Sequence, residues 1–137
     1  MDQSSLFGPG YIVTKLGQRV TARFADELTA LGMRPRHYGA LAAIATAPAG
    51  SQMELGQRLA VVPSAIVAVV DELVSLGAVE RTVDATNRRR TIITTTPDGL
   101  RLLDRAAAIG RAVDEECFAA LSAEERTILT SLLARVG

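Results

Sequence analysis

The residues with the most to offer chemically are three consecutive arginines, Arg88, Arg89 and Arg90, with Arg81 a few positions earlier, between two segments rich in β-branched residues. Guanidinium groups clustered on a polar loop suit phosphate, because the fork is always charged and presents paired donors. Arginine is also the side chain that narrow grooves of duplex DNA attract. A solvated loop can carry the same residues with no ligand at all. A second constellation lies earlier. Tyr11, Lys15 and Arg19 recur at intervals of four, and His37 and Tyr38 follow. Brought together, they would supply an apolar wall with cationic donors, which is what an aromatic carboxylate requires. Alternatively, His37 is a surface or capping histidine and Tyr38 a core residue. Enzymatic chemistry finds no support. The single His and single Cys lie far apart, and no nucleophile motif, glycine-rich phosphate loop or metal-ligand spacing is present. No catalytic residue, metal or cofactor is therefore expected.

The 137-residue length suits one domain with a real core, or one domain with a helical extension. The hydrophobic fraction of 48% and charged fraction of 22% are ordinary for a soluble globular chain. With aromatics at 4% and no Trp, aliphatic residues and Ala must build a mostly helical core. Fifteen basic and fifteen acidic residues give zero formal charge, so any nucleic-acid footprint is local. Cys117 stands alone, which fits a reducing compartment; it reads as a small buried hydrophobe or as a redox-sensing thiol. Met1 to Ser5 is polar and lacks a basic leader. The longest apolar stretch, Leu59 to Val70, is broken by Pro63 and followed by Asp71 and Glu72, too short to span a bilayer. A cytoplasmic protein is expected.

Positioning these groups falls to six helices and one hairpin. Residues 9–31 form a first helix, with Ile12, Leu16, Val20, Phe24, Leu28 and Leu31 in one apolar stripe and Gly32 as its stop. A second covers 35–46, with Tyr38, Leu41, Ala42 and Ile44 or Ala45 inward, and Ala47-Pro48-Ala49-Gly50 breaks it. Ser51 and Glu54 have capping-box spacing and open a short third helix over 52–59. A tight turn leads to Pro63 and a fourth helix to about Leu76, buried through Ile66, Val69, Val70, Leu73 and Leu76. Segments 78–83 and 91–95 form a hairpin with a long polar tip. If its strand continues into the tip, Arg88 and Arg90 share one side and Arg89 takes the other. Thr96-Pro97-Asp98 starts a fifth helix over about 97–120, and Ser122 with Glu125 caps the last, about 123–136, with Ile128, Leu129, Leu132, Leu133 and Val136 as its stripe.

Short helix, turn, longer helix and hairpin is the order of a winged helix-turn-helix. The fold class is thus mainly α with a small β-hairpin wing. Residues 35–96 are the winged part, and the surplus helices at 9–31 and 97–137 are a dimerisation part within one domain. A symmetric dimer would bury their stripes and set half-site spacing on a pseudo-palindromic duplex. In the fourth helix Ser64 can donate to a phosphate or base edge, whereas Ala65, Val67 and Ala68 can at most touch thymine methyls. Gln52 and Arg58 on the third helix are further DNA candidates. Arg88 suits the groove, and Arg89 or Arg90 the backbone.

The chain resembles the MarR family of bacterial transcription regulators. The resemblance rests on Arg34-Pro35-Arg36-His37-Tyr38-Gly39-Ala40-Leu41, on Val70-Asp71-Glu72-Leu73 with Gly77-Ala78-Val79-Glu80-Arg81, and on Asp84, Asn87-Arg88-Arg89 and Thr94-Thr95-Thr96-Pro97-Asp98-Gly99. It implies a homodimer built through the first and last two helices, with the fourth helix in the major groove and the wing near the minor groove. It implies a repressor, commonly relieved by a small phenolic or aromatic anion bound between the two parts. The alternative is a helical dimer of the same fold that senses a small molecule or binds a protein, with weak or no sequence-specific DNA binding. Two departures stand out. The family's wing Asp-Arg is Asn87-Arg88 here, and Pro63, Ala65, Val67 and Ala68 stand where relatives often carry Ser, Thr and Arg.

Overall fold

The computed structural model describes residues 3–47 and 50–137. Met1 and Asp2 of the polar N-terminus, and Pro48 and Ala49 of the expected helix break, lie outside the described residues. The elements run α1 (Gln3–Leu6), α2 (Pro9–Leu28), a 3-10 turn (Thr29–Leu31), α3 (Pro35–Thr46), β1 (Gly50–Ser51), α4 (Gln52–Arg58), α5 (Pro63–Ser75), β2 (Val79–Val83), β3 (Thr91–Thr95), α6 (Pro97–Cys117) and α7 (Ala123–Ala134). The six expected helices are α2 to α7.

Local chemistry sets most of the boundaries. Proline opens α2, α3, α5 and α6, where its missing N–H costs nothing. Ser51 with Glu54, and Ser122 with Glu125, form the reciprocal capping boxes that their spacing indicates. Gly32 ends the first helical run at φ 68°. The last turn before it tightens to 3-10, so α2 itself stops at Leu28. At the other end α6 stops at Cys117, short of residue 120.

The wing differs from a plain hairpin. Gly50–Ser51 adds a third antiparallel strand, pairing with Ile93 and Ile92 to give the order β1-β3-β2. Two residues are too few for a period-two pattern to reveal. Nor does the strand run on into the arginines. The Asp84 N–H donates to the Arg90 carbonyl at 2.9 Å, and the Arg90 N–H to the Asn87 carbonyl at 2.9 Å, so Arg88 and Arg89 occupy a tight turn. The expected side-to-side alternation of the three arginines is therefore corrected.

Leu28, Met33, Leu41, Val70 and Leu73 are fully buried, joined by Ile66, Val79, Ile93 and Ala106. Each such large aliphatic side chain is worth about 1.5–3 kcal/mol of burial. Thr96 fastens α6 to the wing: its Oγ1 accepts from the Gly99 N–H at 2.9 Å and donates to the Gly77 carbonyl. A Cβ at Gly99 would lie 1.9 Å from the Ala78 carbonyl oxygen, so only glycine allows this approach.

The terminal helices do not close on this core. Leu6, Phe7, Tyr11, Ile12 and Val13 are exposed at one end of the chain, and Ile128, Leu132, Leu133 and Val136 at the other. No residue of α7 is buried. Among the described residues no helix is long and apolar enough to cross a membrane.

Candidate nucleic-acid interface

The helix-turn-helix is α4, a turn and α5. The turn is closed by the Val61 N–H donating to the Gly56 carbonyl at 2.9 Å, with Ala60 at a left-handed φ of 53°. On α5, Ile66, Val69, Val70 and Leu73 face inward. The opposite face carries Ser64, Val67, Ala68 and Asp71, all exposed, with Ala65 half-buried at its margin.

The wing tip is held by Asp84. Its carboxylate accepts from the Thr86 N–H at 2.9 Å and the Thr86 hydroxyl at 2.8 Å, which lowers the Asp84 pKa, the backbone bond contributing most. Asn87 Oδ1 accepts from the Arg89 N–H at 3.1 Å, so the asparagine orders the turn's backbone. Arg88 and Arg89 project from that turn, exposed and without an ion pair among the described residues.

The other basic groups nearby are committed within the protein. Arg90 donates to Glu54 Oε1 at 2.6 Å and has Asp84 Oδ2 4.0 Å from its Nε, tying the tip to the first turn of α4. Arg81 donates to Asp71 at 2.6 Å and to Gln52 Oε1 at 3.1 Å, joining β2, α5 and α4. Arg58 donates to the Ala43 carbonyl at 2.9 Å and so caps α3. Of the basic DNA candidates only Arg88 and Arg89 remain uncommitted, while Gln52 and Arg90 brace the framework. The hydrogen bonds among these join residues 15 to 36 positions apart, except Arg81 to Asp71 at ten, and no sequence spacing announces them. Asp71, which has the wrong sign to face phosphate, is paired by Arg81.

The five residues named for a ligand do not converge within one chain. Tyr11 packs on Phe7 with ring centroids 4.8 Å apart, and Lys15 lies 6.0 Å over the Tyr11 ring. Arg19 reaches the Cys117 carbonyl at 3.5 Å. Tyr38 packs edge-on against Phe24 at 5.3 Å. His37 is 5% exposed; its Nδ1 accepts from the Arg34 N–H at 2.8 Å and its Nε2 meets Glu72 on α5. This is the capping role, carried out in the interior. Arg36 adds two bonds to Glu72, and together they hold the Glu72 carboxyl below its usual range, the His37 bond first.

Two cavities are relevant. One of about 320 Å³ lies between α2, α3 and α6, with Phe24, Tyr38 and Arg111 in its wall. Another of about 450 Å³ runs along α3 and α5, bounded by Ala40, Leu59, Val61, Ala65 and Val69 with Arg36 and Glu72 at its rim.

The sequence model of the MarR family matches residues 31–90. The chain is 32% identical over 122 residues, 89% of each protein, to the transcriptional regulator HosA of Escherichia coli O157:H7. It is 36% identical over 115 residues, 83% of this chain and 69% of the other, to a putative transcriptional regulatory protein for the hcr operon of Thauera aromatica. Its backbone is similar to the Mycobacterium tuberculosis MarR family protein Rv2887, whose structure is a complex with DNA, at TM-score 0.84 and 27% identity, covering 95% of this chain and 98% of that one.

Proposed function

The chain belongs to the MarR family, and from that membership we propose that it is a homodimeric DNA-binding transcription regulator, a repressor released by a small aromatic or phenolic ligand. The observation that carries this reading is the division of labour among the basic side chains. Arg81 and Arg90 spend their guanidinium groups on fixing the wing against α4 and α5, which leaves Arg88 and Arg89 uncommitted at its tip. Two uncommitted cations on a braced wing, with a helix-turn-helix that leaves one face of α5 exposed, match the wing and recognition helix of a duplex reader. The resemblance to a relative solved with DNA supports the same docking.

Dimerisation is supported by the apolar surface on α1, α2 and α7, which a lone chain would leave in water. Ligand release is supported by the cavity at Tyr38, where aromatic walls meet Arg111 at the junction of the two parts. A benzoic acid bound there is expected to raise the melting temperature and to lower DNA affinity. The DNA reading is tested by titrating the protein at low salt onto fragments from upstream of its own coding region. Salt-sensitive binding to one of them is expected, and no binding to any of them contradicts it. Zero net charge favours the second reading, a dimer of this fold without specific DNA binding. On that reading Arg88→Ala/Arg89→Ala leaves function unchanged.

A further inference from the structure

Large apolar side chains are exposed on the terminal helices, on the helix-turn-helix and, as Val83, on the wing. The terminal helices hold one group, which the proposed dimer would cover. Another group lies on the helix-turn-helix: Met53 on the first turn of α4 at 73% exposure, Val62 as the N-cap of α5 at 63%, and Val67 one turn into α5 at 39%. Ser64, Ala68 and Asp71 complete the exposed face of α5 around Val67, with the Asp71 carboxylate paired to Arg81.

Reading guanine or adenine in the major groove takes paired donors or acceptors, supplied by Arg, Lys, Asn or Gln. The outward face of α5 has none. Two such side chains on the neighbouring elements are engaged: Gln52 lends its Oε1 to Arg81, and Arg81 is held by Asp71. Arg58 is turned to the Ala43 carbonyl. Apart from the Asp71 carboxylate, which Arg81 holds, what remains outward is methyl groups and one hydroxyl. The base-edge feature that complements a methyl surface is the C5-methyl of thymine, which projects into the major groove and gains by leaving water.

Resting on the DNA-binding reading above, we propose that sequence selection by α5 is selection for thymine C5-methyl groups, made chiefly by Val67 with Val62 and Ala68 beside it. Arg88 and Arg89 contribute affinity that is indifferent to those methyls. The helix thus discriminates by burial, and its contact is insensitive to salt while the wing's is not.

Deoxyuridine differs from thymidine only by that methyl, so it serves as the probe. A duplex that the protein selects from a random-sequence pool is prepared with thymine and again with uracil at every protected thymine. Wild-type protein is expected to bind the uracil duplex about four-fold more weakly per contacted methyl, the equivalent of one buried carbon. The salt slope is expected to stay the same. Val67→Ala, an exposed change that leaves the core intact, is expected to shrink the thymine-to-uracil ratio. Equal affinities for the two duplexes overturn the proposal while leaving DNA binding in place. So does a uracil penalty that Val67→Ala leaves undiminished, since the methyls then act through DNA shape. Failure to bind any duplex at low salt overturns the DNA reading and this proposal with it.

Discussion

Glu72 shows how one side chain fastens two helices together. It lies on α5, yet its partners, His37 and Arg36, are both on α3. Its carboxyl is held below the ordinary range by the His37 hydrogen bond first and by Arg36 second. A carboxyl lowered in the folded state adds stability above its unfolded pKa and loses it as pH falls through the folded value. Glu72→Gln is therefore expected to lower the melting temperature at neutral pH and to flatten the loss of stability below about pH 4.5. Melts across that range check this, and an unchanged acid slope contradicts it. Arg90 gives a second prediction. Its bond to Glu54 orients the wing, so Arg90→Met is expected to weaken DNA binding by at most about five-fold, the worth of a partly exposed ion pair. Because Arg90 is a brace, the salt dependence of binding is expected to persist. A slope reduced by the equivalent of one phosphate would instead make Arg90 a DNA ligand.

At the level of elements, the helices are legible because their signals are local. Pro at the first turn, Ser with Glu three residues on, and Gly at the stop act over a few residues, and the structure has them where the spacing indicates. What the sequence hides depends on distant partners. β1 exists only because Ile92 and Ile93 accept it as a neighbour. Arg58 and Gln52 are DNA candidates by sequence alone, but folding brings the Ala43 carbonyl of α3 to Arg58 and Arg81 of β2 to the Oε1 of Gln52. The five ligand candidates share plausible chemistry, yet α2 exposes Tyr11 and Lys15 while α3 turns His37 inward. Element packing also separates two glycines of α6. Gly99→Ala drives a methyl into the Ala78 carbonyl and is expected to cost about 1–3 kcal/mol or more. Gly110→Ala meets only Phe24 at 3.6 Å and is expected to be neutral or to gain up to about 1 kcal/mol from helix propensity. Thermal or denaturant unfolding of the two variants measures the contrast, and equal effects contradict it.

For the whole molecule, the apolar stripes at 9–31 and 123–136 are visible as patterns, but a pattern does not say which chain it packs on. In α2 the stripe is divided: Leu28 is in the core, while Ile12 is 55% exposed. Leu132 and Leu133 on α7 are 50% and 45% exposed, left open by the rest of the chain. Leu132→Glu with Leu133→Glu is expected to leave a folded monomer, measurable by sedimentation, and an unchanged dimer would contradict the proposed interface. That assembly matters because two copies of the wing and α5 at fixed spacing, rather than net charge, are what the proposed operator would recognise.

On the proposed reading, affinity for DNA comes from Arg88 and Arg89 on a braced wing. The most direct test is the salt dependence of binding to one duplex, compared between wild type and Arg88→Ala/Arg89→Ala. The double variant is expected to stay folded and dimeric and to bind more weakly at low salt. Its slope of log affinity against log salt is expected to be shallower by about 0.9 for each phosphate that the variant no longer neutralises. A double variant with the wild-type slope and affinity would contradict this reading.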